Sequence, residues 1–301
     1  MRALFVTGAS GFVGRHVLAA ADRVRYGRVV ALSRRPPPPA DAAGAEWVTA
    51  ALADAARYRS VLGPGTDVLH LAAATGAATA AQHAAANVDG TTALLAACAD
   101  KGCRRFVFVS SIAAGWPDDP HYPYAQTKRA AETLVKRSEL RWTIARATIV
   151  LGAGSPIWKR LRSLATAPVG VLIGDGRVKI QPVLAPDLAR MLLEVPERDE
   201  LAGATVELGG PEVVTMEELL RRVRTRLKGG RGGGFVKLPY GALRAALIAG
   251  QTVLRGRSPV APGQLSSFAR DGVAAPSAFW ESWRARLADV DAMIAASESG
   301  G

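Results

Sequence analysis

Over the first 150 positions, apolar residues gather in short β-rich runs separated by stretches with helical spacing. The runs 3–7, 28–33, 46–49, 67–71, 105–110 and 143–147 are apolar nearly throughout, as expected of parallel strands covered on both faces. Helical patterns are predicted between them at 12–22, 87–100 and 124–137. Regular alternation of this kind argues for a doubly wound α/β domain. The predicted division gives 1–150 to the sheet domain, with 178–200 returning to it. Residues 151–177 and 201–301 form a smaller, mainly helical C-terminal substrate lobe.

Beyond Leu151 the pattern is less regular. Helices are predicted at 157–164, 186–193 (Pro186 in the first turn), 216–227, 241–254 and 276–296, and a strand at 178–184. The run Arg35-Pro36-Pro37-Pro38-Pro39 cannot be helix interior or central strand and reads as a surface loop. The glycine-rich run 229–234 reads as a flexible hinge or an exposed loop. There is no internal repeat.

Composition narrows the class. The chain has 301 residues, 49% hydrophobic and 21% charged, a globular balance that supports a sizeable core. No apolar run approaches the roughly 18 residues of a transmembrane helix, so no stable membrane insertion is expected. The first residues read as a strand, not a signal peptide. Two cysteines, Cys98 and Cys103, cannot make a disulfide framework. A reducing, cytoplasmic setting follows, with both thiols inert in the core. The four histidines have no metal-ligand spacing, so no metal is expected. The net charge of +12 raises nucleic acid as a partner. The cations are scattered, however, and the dense run 221–228 ends a predicted helix, where positive charge suits the dipole. Anionic small molecules fit better than nucleic acid.

Chemistry enters at the first strand-to-helix turn, Gly8-Ala9-Ser10-Gly11-Phe12-Val13-Gly14. The early glycines permit a tight turn and close approach to a pyrophosphate. The third lets helix pack on strand, and the helix N-terminus attracts phosphate. This is the signature of a Rossmann-type sheet. At the end of the second strand stands Ser33-Arg34-Arg35, where an acidic residue would hold the ribose 2′-hydroxyl of NAD. Guanidinium groups pair instead with a 2′-phosphate, and Arg15 lies within reach, so NADP is the expected cofactor. The competing reading is two solvated arginines beside the proline run. Further along, Tyr124 and Lys128 are spaced to share a helix face. A nearby ammonium stabilises a phenolate and makes tyrosine a usable acid-base group. The strand before them ends in Ser110-Ser111, whose hydroxyl is suited to a substrate oxygen.

These pieces, with Val68-Leu69-His70-Leu71-Ala72-Ala73, Asn87-Val88-Asp89-Gly90-Thr91, Phe108-Val109-Ser110-Ser111 and Gln181-Pro182-Val183-Leu184-Ala185-Pro186-Asp187, resemble the short-chain dehydrogenase/reductases. The likeness is greatest to their extended or atypical branch of epimerase/dehydratase-like proteins, over about residues 1–190. The resemblance implies that Ser111 polarises a carbonyl, Tyr124 is the central acid-base, Lys128 holds the nicotinamide ribose and tunes Tyr124, and Asn87 supports them. It places Leu71, Ala72 and Ala73 on the adenosine side. Leu52 joins the cofactor contacts, from a run whose Ala51 stands where the family often carries an acidic residue against adenine. Arg146-Ala147 replaces a common Arg-Pro, and Gln181-Pro182-Val183 replaces an aromatic-rich version. The 111–124 segment is short for a sugar-nucleotide epimerase.

The implied activity is NADP-dependent reduction of a carbonyl. The alternatives are a nucleotide-sugar epimerase or dehydratase with retained cofactor, and a non-catalytic NADP-binding subunit or sensor. The implied partner is a small-molecule carbonyl or a sugar-nucleotide, with the chain a monomer or homodimer. Among other residues, His70 reads as a core or cofactor-neighbouring histidine, and His121 or Tyr122 as a candidate substrate contact. Trp116, Ile157 and Trp158 are divided between an apolar pocket and ordinary packing. The 241–249 segment reads as a lid helix in preference to a membrane-surface helix.

Overall fold

The run Ala3–Thr7 forms β1, and its last four residues are buried. In chain order, it is followed by β2 (Arg28–Ser33), β3 (Glu46–Thr49), β4 (Thr66–His70), β5 (Arg105–Ser111), β6 (Trp142–Ala147), β7 (Val150–Leu151), β8 (Gly170–Ile173), β9 (Lys179–Ile180), β10 (Val183–Leu184), β11 (Thr205–Leu208), β12 (Val214–Thr215) and β13 (Phe235–Leu238). The helices are α1 (Phe12–Ala20), α2 (Ala80–Ala84), α3 (Gly90–Asp100), α4 (Pro123–Arg137), α5 (Pro156–Thr166), α6 (Ala185–Glu194), α7 (Met216–Lys228), α8 (Tyr240–Val253), α9 (Ala278–Arg284) and α10 (Val290–Glu298). The structure is a computed structural model that describes residues 2–36, 44–76, 78–229, 234–253 and 262–299. The predicted hinge falls largely outside the described residues, at 230–233, as do 37–39 of the proline run and Leu254.

Seven strands make one sheet in the order β11-β6-β5-β4-β1-β2-β3. β1 pairs in parallel with β2 and β4, and the pairs β2/β3 and β4/β5 are parallel as well. The strand order reverses beside β1, with Thr7 in register with both Leu32 and His70. In an open α/β sheet the crevice for a ligand lies at such a switch point, beyond the strand carboxyl ends. The fold is thus the Rossmann-type doubly wound sheet read from the sequence. Its core joins Phe5, Val30, Val68, Phe106 and Ile144 of the strands to Leu94, Cys98, Ala131 and Val135 of α3 and α4.

By density of internal contacts the chain forms two units. One comprises Met1–Gly115, Pro123–Arg146 and Leu188–Val206, and the other Trp116–Tyr122, Ala147–Asp187 and Glu207–Gly301. The second unit has its own core, from Trp158 and Leu161 of α5, Leu219, Leu220 and Val223 of α7, and Met293 and Ile294 of α10. It is helical, yet it also contains the two-stranded pairs β7/β10, β9/β12 and β8/β13. Apolar runs of two to four residues carry no period by which a strand can be told from a helix. The predicted strand 178–184 is broken into β9 and β10 at Gln181-Pro182, where proline has no N–H to give a ladder. Among the described residues no helix is long and apolar enough to cross a membrane.

Candidate active site

The glycine turn is shaped by contacts that leave no room for side chains. Gly8 has φ +67°, and a Cβ on it would lie 2.7 Å from the backbone nitrogen of Ala72. A Cβ on Gly14 would overlap the carbonyl oxygen of Gly8. The chain after β1 therefore runs against the chain after β4, and α1 starts close beneath it. Gly11 caps α1 in an extended conformation, and the first turn of α1 contains no acidic residue. The first N–H groups of a helix lack intrahelical acceptors, so this end offers donors to an anion with no built-in carboxylate competing. Ser10 and Ser33 hydroxyls lie 2.9 Å apart and clasp the loop to the end of β2. The Arg35 N–H also donates to the Ser33 hydroxyl. Arg15, Arg34 and Arg35 are exposed beside this clasp. Phe12 and Val13 are half-buried, with the Phe12 ring edge-on to His16.

Beyond β4, residues Leu71, Ala72 and Ala73 run half-buried past the glycine turn. Leu52 packs on the core and against Gly90 at the start of α3, while its carbonyl accepts the Tyr58 hydroxyl. Asn87 is buried in a π-helical turn, Ala85–Asp89, between α2 and α3. Its Oδ1 accepts the Ala74 N–H at 2.6 Å, and its Nδ2 donates to the Thr127 hydroxyl at 3.0 Å. His83, on the preceding turn, is buried, and its ring lies edge-on to that of Tyr124 with centroids 6.1 Å apart.

β5 and α4 bring the other predicted residues together. The Ser111 hydroxyl accepts the Ala113 N–H and is hydrogen-bonded to the Tyr124 phenol. Burial pushes the Tyr124 phenol above its ordinary 10, and the bond to Ser111 opposes the rise. Lys128 is almost wholly buried, and its Nζ donates to the Val109 carbonyl at 2.7 Å and sits over the Phe108 ring. Burial pushes it down to about 8, with Glu132 acting in the opposite sense. The phenol is therefore raised here, whereas the expected lowering combines the lysine with the positive charge of an oxidised nicotinamide. The ammonium is engaged by Val109, and desolvation is the larger effect on the phenol. Behind Ser111, the Ser110 hydroxyl donates to Glu132 at 2.7 Å, and Arg146 bridges the same carboxylate with both Nε and Nη2.

The segment 116–122, just before α4 in the chain, belongs to the second unit. The Trp116 indole donates to the Asp271 carbonyl. Asp119 is buried, and its carboxylate accepts the His121 N–H and the Arg244 guanidinium, both at 2.9 Å, with Ser266 close by. The Gly263 N–H donates to the His121 carbonyl, and a Cβ on Gly263 would come within 2.5 Å of it. Trp158 is core and Ile157 is exposed, while Trp116 and Tyr122 lie ring to ring at 6.4 Å. An open cleft of about 590 Å³ on α7 holds none of the predicted residues. Its arginines Arg221 and Arg222 are already paired with Glu217 and Glu218.

The structure thus gathers Ser111, Tyr124, Lys128 and Asn87 around the carboxyl ends of β4 and β5. It gathers the glycine turn, Ser33 and 71–73 around the end of β1. The sequence reading did not single out His83, Thr127 or Thr91. His83 stands four residues before Asn87, and helical spacing alone puts such a pair on one face.

A family model described as the NAD dependent epimerase/dehydratase family matches residues 4–209. An uncharacterised protein of Mycobacterium tuberculosis is 27% identical over 215 residues, which are 71% of this chain and 22% of that protein. A 3 beta-hydroxysteroid dehydrogenase/Delta 5-->4-isomerase of monkeypox virus is 29% identical over 156 residues, which are 44% of this chain and 45% of that protein. This chain therefore spans about a fifth of the mycobacterial relative and under half of the viral one. Among solved structures, that of gox2253 superposes with a TM-score of 0.74 at 22% identity, covering 98% of this chain and 97% of the other. With a family match over two thirds of its length and a matching sheet, the chain belongs to the NAD-dependent epimerase/dehydratase family, whose members bind a nicotinamide cofactor.

Proposed function

We propose that this chain is an NADP-dependent oxidoreductase that reduces a carbonyl to an alcohol, or runs the reverse oxidation. The observation that carries the reading is the half-buried Tyr124, its phenol paired with Ser111 and Lys128 buried one helical turn on. The glycine turn fits a dinucleotide: its backbone is bare where a Cβ would collide, and α1 presents its first N–H groups there. Gly8, Ser10, Gly11, Phe12, Val13 and Gly14 would hold the pyrophosphate. Ser33, Arg34, Arg35 and Arg15 would hold the 2′-phosphate, and Leu52, Leu71, Ala72 and Ala73 the adenosine. The viral relative's description as a hydroxysteroid dehydrogenase agrees with redox chemistry at an alcohol carbon.

A reduced nicotinamide, when bound, supplies the hydride. Ser111 donates a hydrogen bond to the carbonyl oxygen and draws charge toward it. As the carbonyl carbon accepts the hydride, its oxygen becomes alkoxide-like and takes the proton of Tyr124. The Lys128 ammonium then stabilises the phenolate until a proton returns from solvent. Burial keeps Tyr124 protonated at neutral pH, which suits the donor role in reduction. Asn87 holds the first turn of α4 through Thr127. Residues 1–150 and 178–200 serve the cofactor, and 151–177 with 201–301 supply selectivity for substrate.

The test is incubation with NADPH and a panel of a 3-ketosteroid, acetophenone and UDP-glucose, followed by nicotinamide absorbance and product analysis. Consumption of NADPH with one equivalent of alcohol supports the reading. Conversion of UDP-glucose with no net NADPH consumption, by protein purified with cofactor attached, would replace it with epimerisation. No turnover and retained NADPH binding would favour a sensor.

A further inference from the structure

Four buried side chains in the first unit form an ordered series of hydrogen bonds whose polarity is fixed by what each atom can do. The Thr91 hydroxyl donates to the carbonyl oxygen of Asn87 at 2.7 Å. A carbonyl can only accept, so the one hydroxyl hydrogen of Thr91 is committed there. The 2.9 Å contact between Thr91 Oγ1 and His70 Nε2 then requires His70 to donate from Nε2. On the other side, Thr7 Oγ1 accepts the Ala72 N–H and lies 2.7 Å from His70 Nδ1. Its remaining hydrogen points at Nδ1, which must be the unprotonated nitrogen. His70 is fully buried and neutral, held there by burial and by the nearby Lys128.

The series continues through Asn87. Its Oδ1 accepts from Ala74, and its Nδ2 donates to Thr127. Thr127 in turn donates to the carbonyl of Pro123, in the first turn of α4, where Tyr124 sits. One connected set of directed bonds therefore runs from the end of β1, where the glycine turn begins, to the turn that carries the phenol. Reversing His70 to its Nδ1–H form would leave its Nε2 and Thr91 with no hydrogen between them.

We propose that His70, through Thr7 and Thr91, is a positioning residue for the reaction, fixing the cofactor-side loop 71–74 and the π-helical turn of Asn87 in one register with Tyr124. The proposal rests on the reading of Tyr124 and the glycine turn given above. It assigns to Thr7, His70 and Thr91 a role that requires one imidazole tautomer and one hydroxyl orientation on each side of it.

The test uses the full chain and three measurements. Nitrogen NMR of the imidazole should show His70 protonated at Nε2 and bare at Nδ1 across the neutral range. Thr91→Val removes the acceptor for Nε2–H at similar volume, whereas Thr91→Ser keeps it. His70→Phe removes both bonds, and His70→Gln can restore one donor and one acceptor. Misplacement of catalytic groups by about 1 Å can cost up to about 10²-fold. Thr91→Val and His70→Phe should therefore lower kcat on the responding panel carbonyl by about tenfold or more. They should also weaken NADPH binding in titration, while Thr91→Ser and His70→Gln stay near native. An Nδ1–H tautomer, native kcat and NADPH affinity in Thr91→Val, or equal losses in Thr91→Ser, overturns the proposal. If His70→Phe fails to fold, the Thr91 pair decides. If the wild-type chain reduces no carbonyl, the functional reading has failed. The tautomer and the NADPH affinity of the Thr91 pair then decide the relay without it.

Discussion

Tyr124 shares a hydrogen bond with Ser111 at the end of β5, while Lys128 donates to the carbonyl of Val109 two residues earlier in the same strand. Removing the phenol's hydroxyl by Tyr124→Phe deletes the proposed donor and little else. Loss of a positioned acid costs about 10²–10⁴ in rate. Turnover should fall by that factor with NADPH affinity nearly unchanged, measured by steady-state kinetics and fluorescence titration. A Tyr124→Phe protein with near-native turnover would remove the phenol from the chemistry.

The arginines at the end of β2 predict a cofactor preference. Arg34 and Arg35 are exposed next to the Ser10–Ser33 clasp. One charge-assisted contact to a phosphate contributes about 1.5–3 kcal/mol, or roughly ten- to a hundredfold in affinity. NADPH should bind tighter than NADH by that order. Arg34→Ala with Arg35→Ala should abolish the difference by weakening NADPH alone. Equal affinities in the wild-type chain would leave the pair as solvated surface charge.

Stability should depend on His70 in acid. Burial pulls its pKa to about 3 in the folded chain, against 6.5 ordinarily. Between those values the unfolded chain binds a proton that the folded chain refuses, so stability rises with pH across this window. It is fully present above 6.5 and lost progressively as pH falls toward 3. His70→Gln carries no titrating group and should lose part of the acid limb. Denaturant midpoints measured in steps through this window give the check, and parallel curves for the two proteins would contradict it.

The same logic applies to Lys128 with the limb in base. Its folded pKa, about 8 against 10.5, means that the folded chain sheds a proton the unfolded chain keeps. Stability should therefore rise between about pH 8 and 10.5, worth roughly 3 kcal/mol for one such group. Lys128→Met should be more stable than the wild type at neutral pH and nearly inactive. A Lys128→Met chain that melts earlier would show that the Val109 contact outweighs the burial cost.

Behind the site, Glu132 and Arg146 form a two-point pair that also receives the Ser110 hydroxyl. Breaking a buried pair from one side leaves an unpartnered charge and costs about 3–5 kcal/mol. Glu132→Ala should lose that much in denaturant unfolding. Removing both partners in a paired substitution should cost less than Glu132→Ala alone.

How much of this was legible in the sequence varies with the type of element. The bounds read for the central strands agree with the fold within one residue, because four apolar residues in a row between turns, as in β1, β2 and β5, leave few alternatives. The glycine turn and the Tyr124/Lys128 spacing announce themselves through positions only certain residue types can fill. By contrast, β8 and β13 are four residues each and have no period of their own. β11 joins the sheet from far along the chain through a run no different from a loop. The rise of the Tyr124 phenol in the chain alone is hidden from the sequence for a related reason. Spacing reports that a lysine is near, but only the fold reports that its Nζ is taken by Val109 and that the phenol is partly desolvated. The π-helical turn at Asn87 is likewise invisible in a helical pattern, since one extra residue per turn leaves the apolar face almost continuous.

The seven residues 116–122 carry a consequence for how such enzymes can be recombined. Although the chain on both sides of them belongs to the sheet unit, their anchors, Arg244, Gly263, Ser266 and Asp271, all come from the last third of the chain. A chimaera that imports a new C-terminal third at a single crossover would set a foreign Arg244 or Gly263 position against the resident Asp119 and His121. Exchanging the C-terminal segment between relatives therefore calls for two simultaneous grafts, the short insert before α4 and the distal segment that grips it. Libraries built with one crossover should be poorer in folded members than libraries that exchange both together.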